Sequence, residues 1–295
     1  MRSLSDIFRQ LFASLRMLIV FTAIVGIAYP LAITAIAQIP GLRGRADGQI
    51  LKADGKPVGS AILGQAFTDK NGKPLVQYLQ SRPSADDYDP TASGASNLGP
   101  ESIVDTLPDP KTKGDTGTQS LLTQVCSRSL AVGQLEHVDG ARPFCADGVG
   151  AVLAVFYAGP GYHGAVNRAV SLNQACPSTP FLSTYKGVKV TCATFGTDYS
   201  KGKVVPIKGN APSHPAVPAD AVTASGSSLD PNISPAYAKI QEVRIAKARG
   251  ISITQVQAVV HQYTSGRDLG FMGESIVNVL KVNLALDKRY PVSAK

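Results

Sequence analysis

Hydrophobic and polar positions divide this chain into one long apolar run and a polar remainder. From Met17 to Ala37 no residue is charged. At ~1.5 Å per residue a helix over that run reaches about 30 Å, the thickness of a bilayer's hydrocarbon core. The pattern predicts a membrane-crossing helix over residues 17–39, after a cytoplasmic N-terminal segment, 1–16. Arg2, Arg9 and Arg16 hold that end in the cytoplasm, so everything past about residue 40 is exported, although Arg43 and Arg45 just beyond the run weaken the bias. Ala35-Ile36-Ala37 before Gln38 also has the small-residue form of a signal-peptidase site, so retention and cleavage both stand. Pro30 kinks a spanning helix, and Thr34 is placed to re-satisfy the freed carbonyl. Gly26, Ala28, Ala32 and Ala35 suit close packing against partner helices, beside the simpler role of a plain anchor.

Beyond the run, three zones follow. In residues 41–102, short apolar clusters, Ala61-Ile62-Leu63 and Leu75 to Leu79, alternate with turn signals and predict short strands. Asp54-Gly55 and Asn71-Gly72 are tight-turn dipeptides, the first between flanks able to pair as a hairpin. Residues 103–212 hold an apolar run from Val149 to Ala158 and a turn at Gly159-Pro160-Gly161, and they read as an insertion with its own small core. In residues 213–295, Ser234-Pro235 opens a helix that Gly250 stops, and Ser252-Ile253-Thr254-Gln255 is the capping box of a second. Val256, Val259, Val260 and Tyr263 fall on one face of it before Gly266 ends it, and Ile276 to Leu286 reads as a strand running into a terminal helix. Residues 41–102 and 213–295 are expected to form one α+β domain, because neither alone offers enough amphipathic surface for a core. Removing about 112–205 should then leave a foldable protein.

The cysteines refine the picture. Cys126, Cys145, Cys176 and Cys192 all lie in the middle zone, and outside the cytoplasm an even number predicts two disulfides among three possible pairings. Zinc is the weaker reading because no close C-x-x-C pair is present. A net charge of +8 raises nucleic acid, but Lys and Arg are scattered, Trp is absent and no basic run is interleaved with aromatics. The 28 glycines and 20 prolines have no fixed period, which excludes collagen-like and repeat architectures.

No catalytic constellation emerges. His137, His163, His214 and His261 are widely spaced, with no H-E-x-x-H, G-x-S-x-G or phosphate-binding loop. Asp86, Asp87 and Asp89 lack the spacing of a calcium loop and read as a solvated turn. No metal or directly bound cofactor is expected.

What stands out instead is a set of specific blocks: Ser93-Gly94-Ala95-Ser96-Asn97-Leu98-Gly99-Pro100 and Thr223-Ala224-Ser225-Gly226-Ser227-Ser228-Leu229-Asp230-Pro231, both small and polar. With Ala28-Tyr29-Pro30-Leu31, Gly64-Gln65-Ala66-Phe67, Arg82-Pro83-Ser84-Ala85 and Val277-Asn278-Val279-Leu280-Lys281-Val282-Asn283-Leu284-Ala285-Leu286-Asp287, they closely resemble the C subunit of the bacterial Kdp potassium-transporting P-type ATPase. The resemblance covers about residues 15–102 and 216–288. It implies a non-catalytic, single-span accessory subunit of the inner membrane. The partners it implies are a potassium-channel-like subunit, an ATP-hydrolysing P-type pump subunit, a small helical subunit and membrane lipid. ATP and potassium would be handled by those partners. The family's C subunit is described as raising the pump's affinity for ATP, but a body exported after an N-in helix cannot touch cytoplasmic ATP. Assembly and capping of the channel subunit's outer entrance fit the topology better.

Residues 103–212 depart from the family, whose members usually carry a short connection there. The candidate docking surface comprises Gln65, Arg82, Pro83 and Ser84; Ser93, Gly94, Ser96, Asn97 and Leu98; and Thr223, Ser225, Gly226, Ser227, Asp230 and Pro231. Its small residues let backbones approach closely, while Asn97 and Asp230 offer fixed polar contacts. The bland alternative is that Gly94 and Gly226 permit turns that Asn97 and Asp230 cap. A second function class is a secreted or anchored binding domain for a small polar ligand.

Overall fold

A computed structural model describes residues 4–292, which fall into two compact units, one through Ile62 and one from Leu63 onward. In the first unit α1 (Leu4–Phe21), a π-helical stretch (Thr22–Ala28) and α2 (Tyr29–Ala37) form one helix of 34 residues, apolar and long enough to cross a membrane. It starts well before the uncharged run and ends just short of the expected boundary. None of its side chains is buried. Proline has no N–H to donate, and the wider π register sits immediately before Pro30, where the Tyr29 N–H reaches back five residues to the Ile24 carbonyl. Thr34 Oγ1 donates to the Pro30 carbonyl at 2.8 Å. It does not reach the carbonyl that Pro30 frees, because a threonine on a helix reaches only one turn back and that carbonyl lies a turn further.

A short helix, α3 (Arg43–Ala46), leads to a hairpin of β1 (Ile50–Ala53) and β2 (Lys56–Ser60). The hairpin turns on Asp54 and Gly55 at φ 48° and 78°, the left-handed pair of a type I′ turn, as expected.

In the second unit, no strand forms at Leu75 to Leu79, nor did one form at Ala61 to Leu63. Asn71-Gly72 does turn, its Asp69 Oδ1 accepting from the N–H groups of Asn71 and Lys73 at 2.8 and 2.9 Å. The segment after it is apolar but turns, the Tyr78 N–H donating to the Leu75 carbonyl at 3.1 Å and the Leu75 N–H to the Phe67 carbonyl at 2.9 Å, and side chains serve the backbone beyond. Asn283 accepts from the Leu79 N–H and donates to its carbonyl, at 2.8 and 2.9 Å, and Gln241 does the same for Gln80 at 2.7 and 3.2 Å. Arg244 donates to the carbonyls of Val76 and Tyr78, and Arg249 to that of Gln77. A strand-like composition thus appears without a sheet.

The middle zone opens with α4 (Leu121–Glu136), capped by Ser120 Oγ accepting from the Thr123 N–H and ended by His137 in the left-handed region. A two-stranded ribbon, β3 (Cys145–Ala146) and β4 (Val149–Gly150), precedes β5 (Val152–Tyr157), β6 (Val166–Ala175), β7 (Thr184–Tyr185), β8 (Val188–Ala193) and β9 (Lys203–Pro206). These last five form a sheet in the order β7-β8-β6-β5-β9, with β6 and β8 parallel and the other neighbours antiparallel. Strand β5 is buried on both faces. Val152 and Ala154 pack with Val170, Leu172 and Ala193, while Leu153 and Val155 pack with Ala169 and Val190. That double burial is why the sequence shows a continuous apolar run there instead of alternation. Two disulfides form, Cys126–Cys145 joining α4 to β3 and Cys176–Cys192 joining the end of β6 to β8.

The last zone holds α5 (Pro235–Arg249), α6 (Ile253–Gln262) and α7 (Val279–Arg289), with β10 (Asn232–Ile233), β11 (Thr264–Ser265) and β12 (Ile276–Asn278) in an antiparallel sheet ordered β10-β12-β11. The Ser234 cap, the left-handed Gly250 and the Ser252/Gln255 capping box are all present. Helix α6 stops at Gln262 and not near Gly266, because Thr264 and Ser265 leave it to pair with β12.

Candidate docking surface

Arg82 is the hub that brings the sequence blocks together. Its Nη1 lies 3.1 Å from Asp230 Oδ2, and Nε and Nη2 donate to the carbonyls of Thr223 and Ala224. Both charged side chains are largely shielded, at 21% and 31% exposure. The second Asp230 oxygen accepts from the Asn232 N–H at 2.9 Å, so this carboxylate has fixed partners within the chain.

Serines tie the loops to one another. Ser84 Oγ donates to the Ser228 carbonyl at 2.8 Å, and the Ala85 N–H donates to Ser228 Oγ at 3.1 Å. Ser228 Oγ in turn donates to the Gly94 carbonyl at 2.5 Å, and Ser93 Oγ to the Ser227 carbonyl at 3.1 Å. The two small-residue blocks, 134 positions apart, therefore lie side by side. Gln65 joins through its carbonyl, which accepts from Ser81 Oγ at 2.8 Å, and Pro231 through its carbonyl, which accepts from the Val279 N–H at 3.1 Å. Pro83 and Leu98 are half-buried, while Ser96, Asn97, Gly226 and Ser227 are exposed.

The strained backbone sits elsewhere than the glycines suggest. Asn97 and Ser228 have φ of 54° and 59°, whereas neither Gly94 nor Gly226 is in the left-handed region and a Cβ on Gly226 would meet open space. Gly64, by contrast, is required. A Cβ there would lie 2.4 Å from the Tyr88 ring and 2.6 Å from the Asp230 carbonyl, while its N–H donates to the Leu229 carbonyl at 2.8 Å.

Three residues that organise the surface fell outside the candidate set: Gly64, Tyr88 and Ser228. Gly64 and Ser228 stood within the specific blocks. Tyr88 had no sequence signal, because its hydroxyl donates to a main-chain carbonyl, that of Arg82. Burial pushes the Tyr88 phenol up to about 12. Ser225 is buried, and its Oγ is the one buried side-chain polar atom among the described residues without a hydrogen-bond partner.

The four histidines are exposed. Among the described residues no three His, Cys, Asp or Glu side chains are grouped so as to hold a metal. Asp89 instead accepts from the Thr91 N–H and hydroxyl at 2.8 and 2.7 Å, which lowers its carboxyl below the ordinary range.

One long uncovered apolar helix ahead of a disulfide-braced α+β body defines a single-pass membrane protein. The family described as the c chain of the K+-transporting ATPase matches residues 11–106 and 197–288. Proteins described as the KdpC subunit of the potassium-transporting ATPase are similar over almost the whole chain. That of Kineococcus radiotolerans is 35% identical over 98% of both chains, that of Mycobacterium tuberculosis (strain H37Rv) 34% over 95% of this chain and 98% of its own, and that of Rhodospirillum rubrum 31% over 97% and 98%. The chain belongs to the KdpC family, a subunit of a potassium-transporting ATPase. The family match passes over residues 107–196.

Proposed function

We propose that this chain is a non-catalytic accessory subunit whose body lies outside the cytoplasm and whose joined loops, 93–98 and 223–231, dock on the channel-like and pump subunits of the complex and hold them together. The observation that carries this reading is the pair of disulfides. Disulfides persist in oxidising compartments and are rare in the cytosol, so both bridges favour an exported body and, with Arg9 and Arg16 ahead of the span, an N-terminus inside. A body on that side does not reach cytoplasmic ATP. Catalysis then belongs to another subunit, and any effect on ATP affinity is transmitted through assembly.

Cysteine accessibility tests the topology. A thiol reagent that cannot cross membranes is expected to label Lys70→Cys and not Ser5→Cys in intact cells. The opposite pattern, or a mature chain beginning at Gln38, overturns the reading. Purification in mild detergent from the native host, with mass spectrometry of what stays bound, is expected to recover the other subunits of the transporter. Recovery of this chain alone would sink the assembly role.

A further inference from the structure

The connection from β11 to β12 exposes apolar side chains that no part of the body covers. Leu269 is 83% exposed and Phe271 71%, with Met272 beside them. Single exposed apolar residues are ordinary, but three within four positions at one loop tip form a patch. The loop is also held in shape. Asp268 and Met272 exchange both N–H and carbonyl bonds at 2.9 Å, the Gly270 N–H donates to the Arg267 carbonyl at 3.2 Å, and Arg267 and Glu274 form an ion pair at 3.1 Å across the base.

Backbone strain is the second, independent observation. Leu269 has φ 53°, in the left-handed region that a bulky side chain adopts only at a cost in free energy. Glycine supplies that conformation freely at Gly270 and Gly273, with φ 81° and 76°, so a leucine at the tip is retained against both strain and hydration. The loop's own hydrogen bonds hold that backbone, but among the described residues the Leu269 and Phe271 side chains stay largely uncovered.

We infer that residues 267–274 form a preformed knob that inserts its Leu269, Phe271 and Met272 side chains into an apolar hole on another subunit of the transporter. This rests on the proposal that the body docks on partner subunits, and it adds the anchor. Charge favours a protein partner over lipid. The loop carries Arg267, Asp268 and Glu274, net negative, and the base ion pair neutralises its one cation, whereas binding to an anionic bilayer draws on unpaired Lys and Arg. A fixed, strained shape also matches a hole of fixed shape, which fluid lipid does not offer. Apolar and aromatic anchors seated in pockets dominate the energetics of protein interfaces.

The test places a photo-reactive benzoyl-phenylalanine at position 271, and separately at position 97, in the full complex in host membranes. The residue at 271 is expected to form an adduct with another subunit of the same transporter, identified by mass. Phe271→Ala and Leu269→Gly, the second relieving the left-handed strain, are each expected to lower recovery of the complex about tenfold or more. The melting temperature of the full chain in detergent should not fall. Adducts with lipid only, no adduct at 271 while position 97 crosslinks a subunit, or a lowered melting temperature that accounts for the lost recovery would each overturn the knob. Failure at both 97 and 271 would remove the docking proposal beneath it as well.

Discussion

Glu136, at the end of α4, and Arg244, in the middle of α5, stand 108 positions apart and meet as a buried ion pair, with Arg244 Nε 3.0 and 2.9 Å from the two carboxylate oxygens. Their side chains are 0% and 7% exposed. Burial pushes the Glu136 carboxyl up while the guanidinium opposes it. The remaining Arg244 nitrogens donate to the carbonyls of Val76 and Tyr78 and to Gln241. One guanidinium therefore joins α4, α5 and the turn at residues 76–78.

Removing one partner of such a pair leaves an uncompensated buried charge. Glu136→Ala is expected to destabilise the chain by about 3–5 kcal/mol, read from denaturant unfolding of the detergent-solubilised protein. Excision of residues 112–205 removes α4 and Glu136 with it. The excised chain is therefore expected to lose at least as much stability, even though its composition alone reads as a removable insertion. Unchanged unfolding in either variant would show that Arg244 finds another partner.

Asn283 carries the backbone of Leu79, a residue with no exposed surface. Asn283→Ala orphans one N–H and one carbonyl in the core, at about 1–3 kcal/mol for each group. A loss of about 3 kcal/mol in unfolding free energy is expected, with the amide exchange of Leu79 and Gln80 accelerated in parallel. Exchange at Leu79 that stays as slow as in the parent chain would contradict the assignment.

The same pair explains where sequence reading stopped. Local signals were legible: the uncharged run, the Asp54-Gly55 turn, the Ser234 and Ser252 caps and Gly250 each act through neighbours within a few residues. Leu75 to Leu79 has the apolar composition of a strand, but it turns at Val76 and Gln77, and the Leu79 backbone is held by a side chain 204 positions away, which no pattern of period two can report. Helix α4 left no apolar stripe. It buries Thr123, Cys126, Ser129, Gly133 and Glu136, small or polar side chains at helical spacing. Gly133 is there because a Cβ would lie 2.6 Å from the Gly140 backbone, a constraint visible only once the chain folds back. In the candidate surface, composition brought out the right loops but not which groups would be used up internally. Asp230 is spent on Arg82 and the Asn232 N–H.

Tyr88 gives the surface a pH limit. Its phenol rises from 10.0 to about 12 because burial disfavours the phenolate, so between those values the folded chain holds a proton that the unfolded chain has released. The stability it contributes is complete below pH 10 and is lost as pH climbs through about 12. Burial moves the phenol of Tyr237 in the same direction. Tyr88→Phe is expected to be less stable at pH 8, having lost the bond to the Arg82 carbonyl, and to lose less additional stability between pH 10 and 12 than the parent. Identical slopes in the two chains over that range would refute the assignment.

Asp230 and Asn97, paired by sequence as candidate contacts, are expected to separate by experiment. Asp230→Ala leaves a shielded Arg82 and frees the Asn232 N–H, so the melting temperature should fall, with a loss of about 1–3 kcal/mol. Asn97 is exposed and left-handed at φ 54°, so replacement by alanine would add strain of its own, and glycine is the substitution that removes the amide alone. If the joined loops dock on the partner subunits, Asn97→Gly should lower complex recovery and potassium uptake at low external potassium while leaving the melting temperature of the full chain unchanged. Arg82→Ala should do both, because it unfastens Thr223 and Ala224 together with Asp230. Normal uptake and recovery in Asn97→Gly would confine that residue to shaping the loop, and the same result in Arg82→Ala, despite a lowered melting temperature, would move the docking face away from these loops.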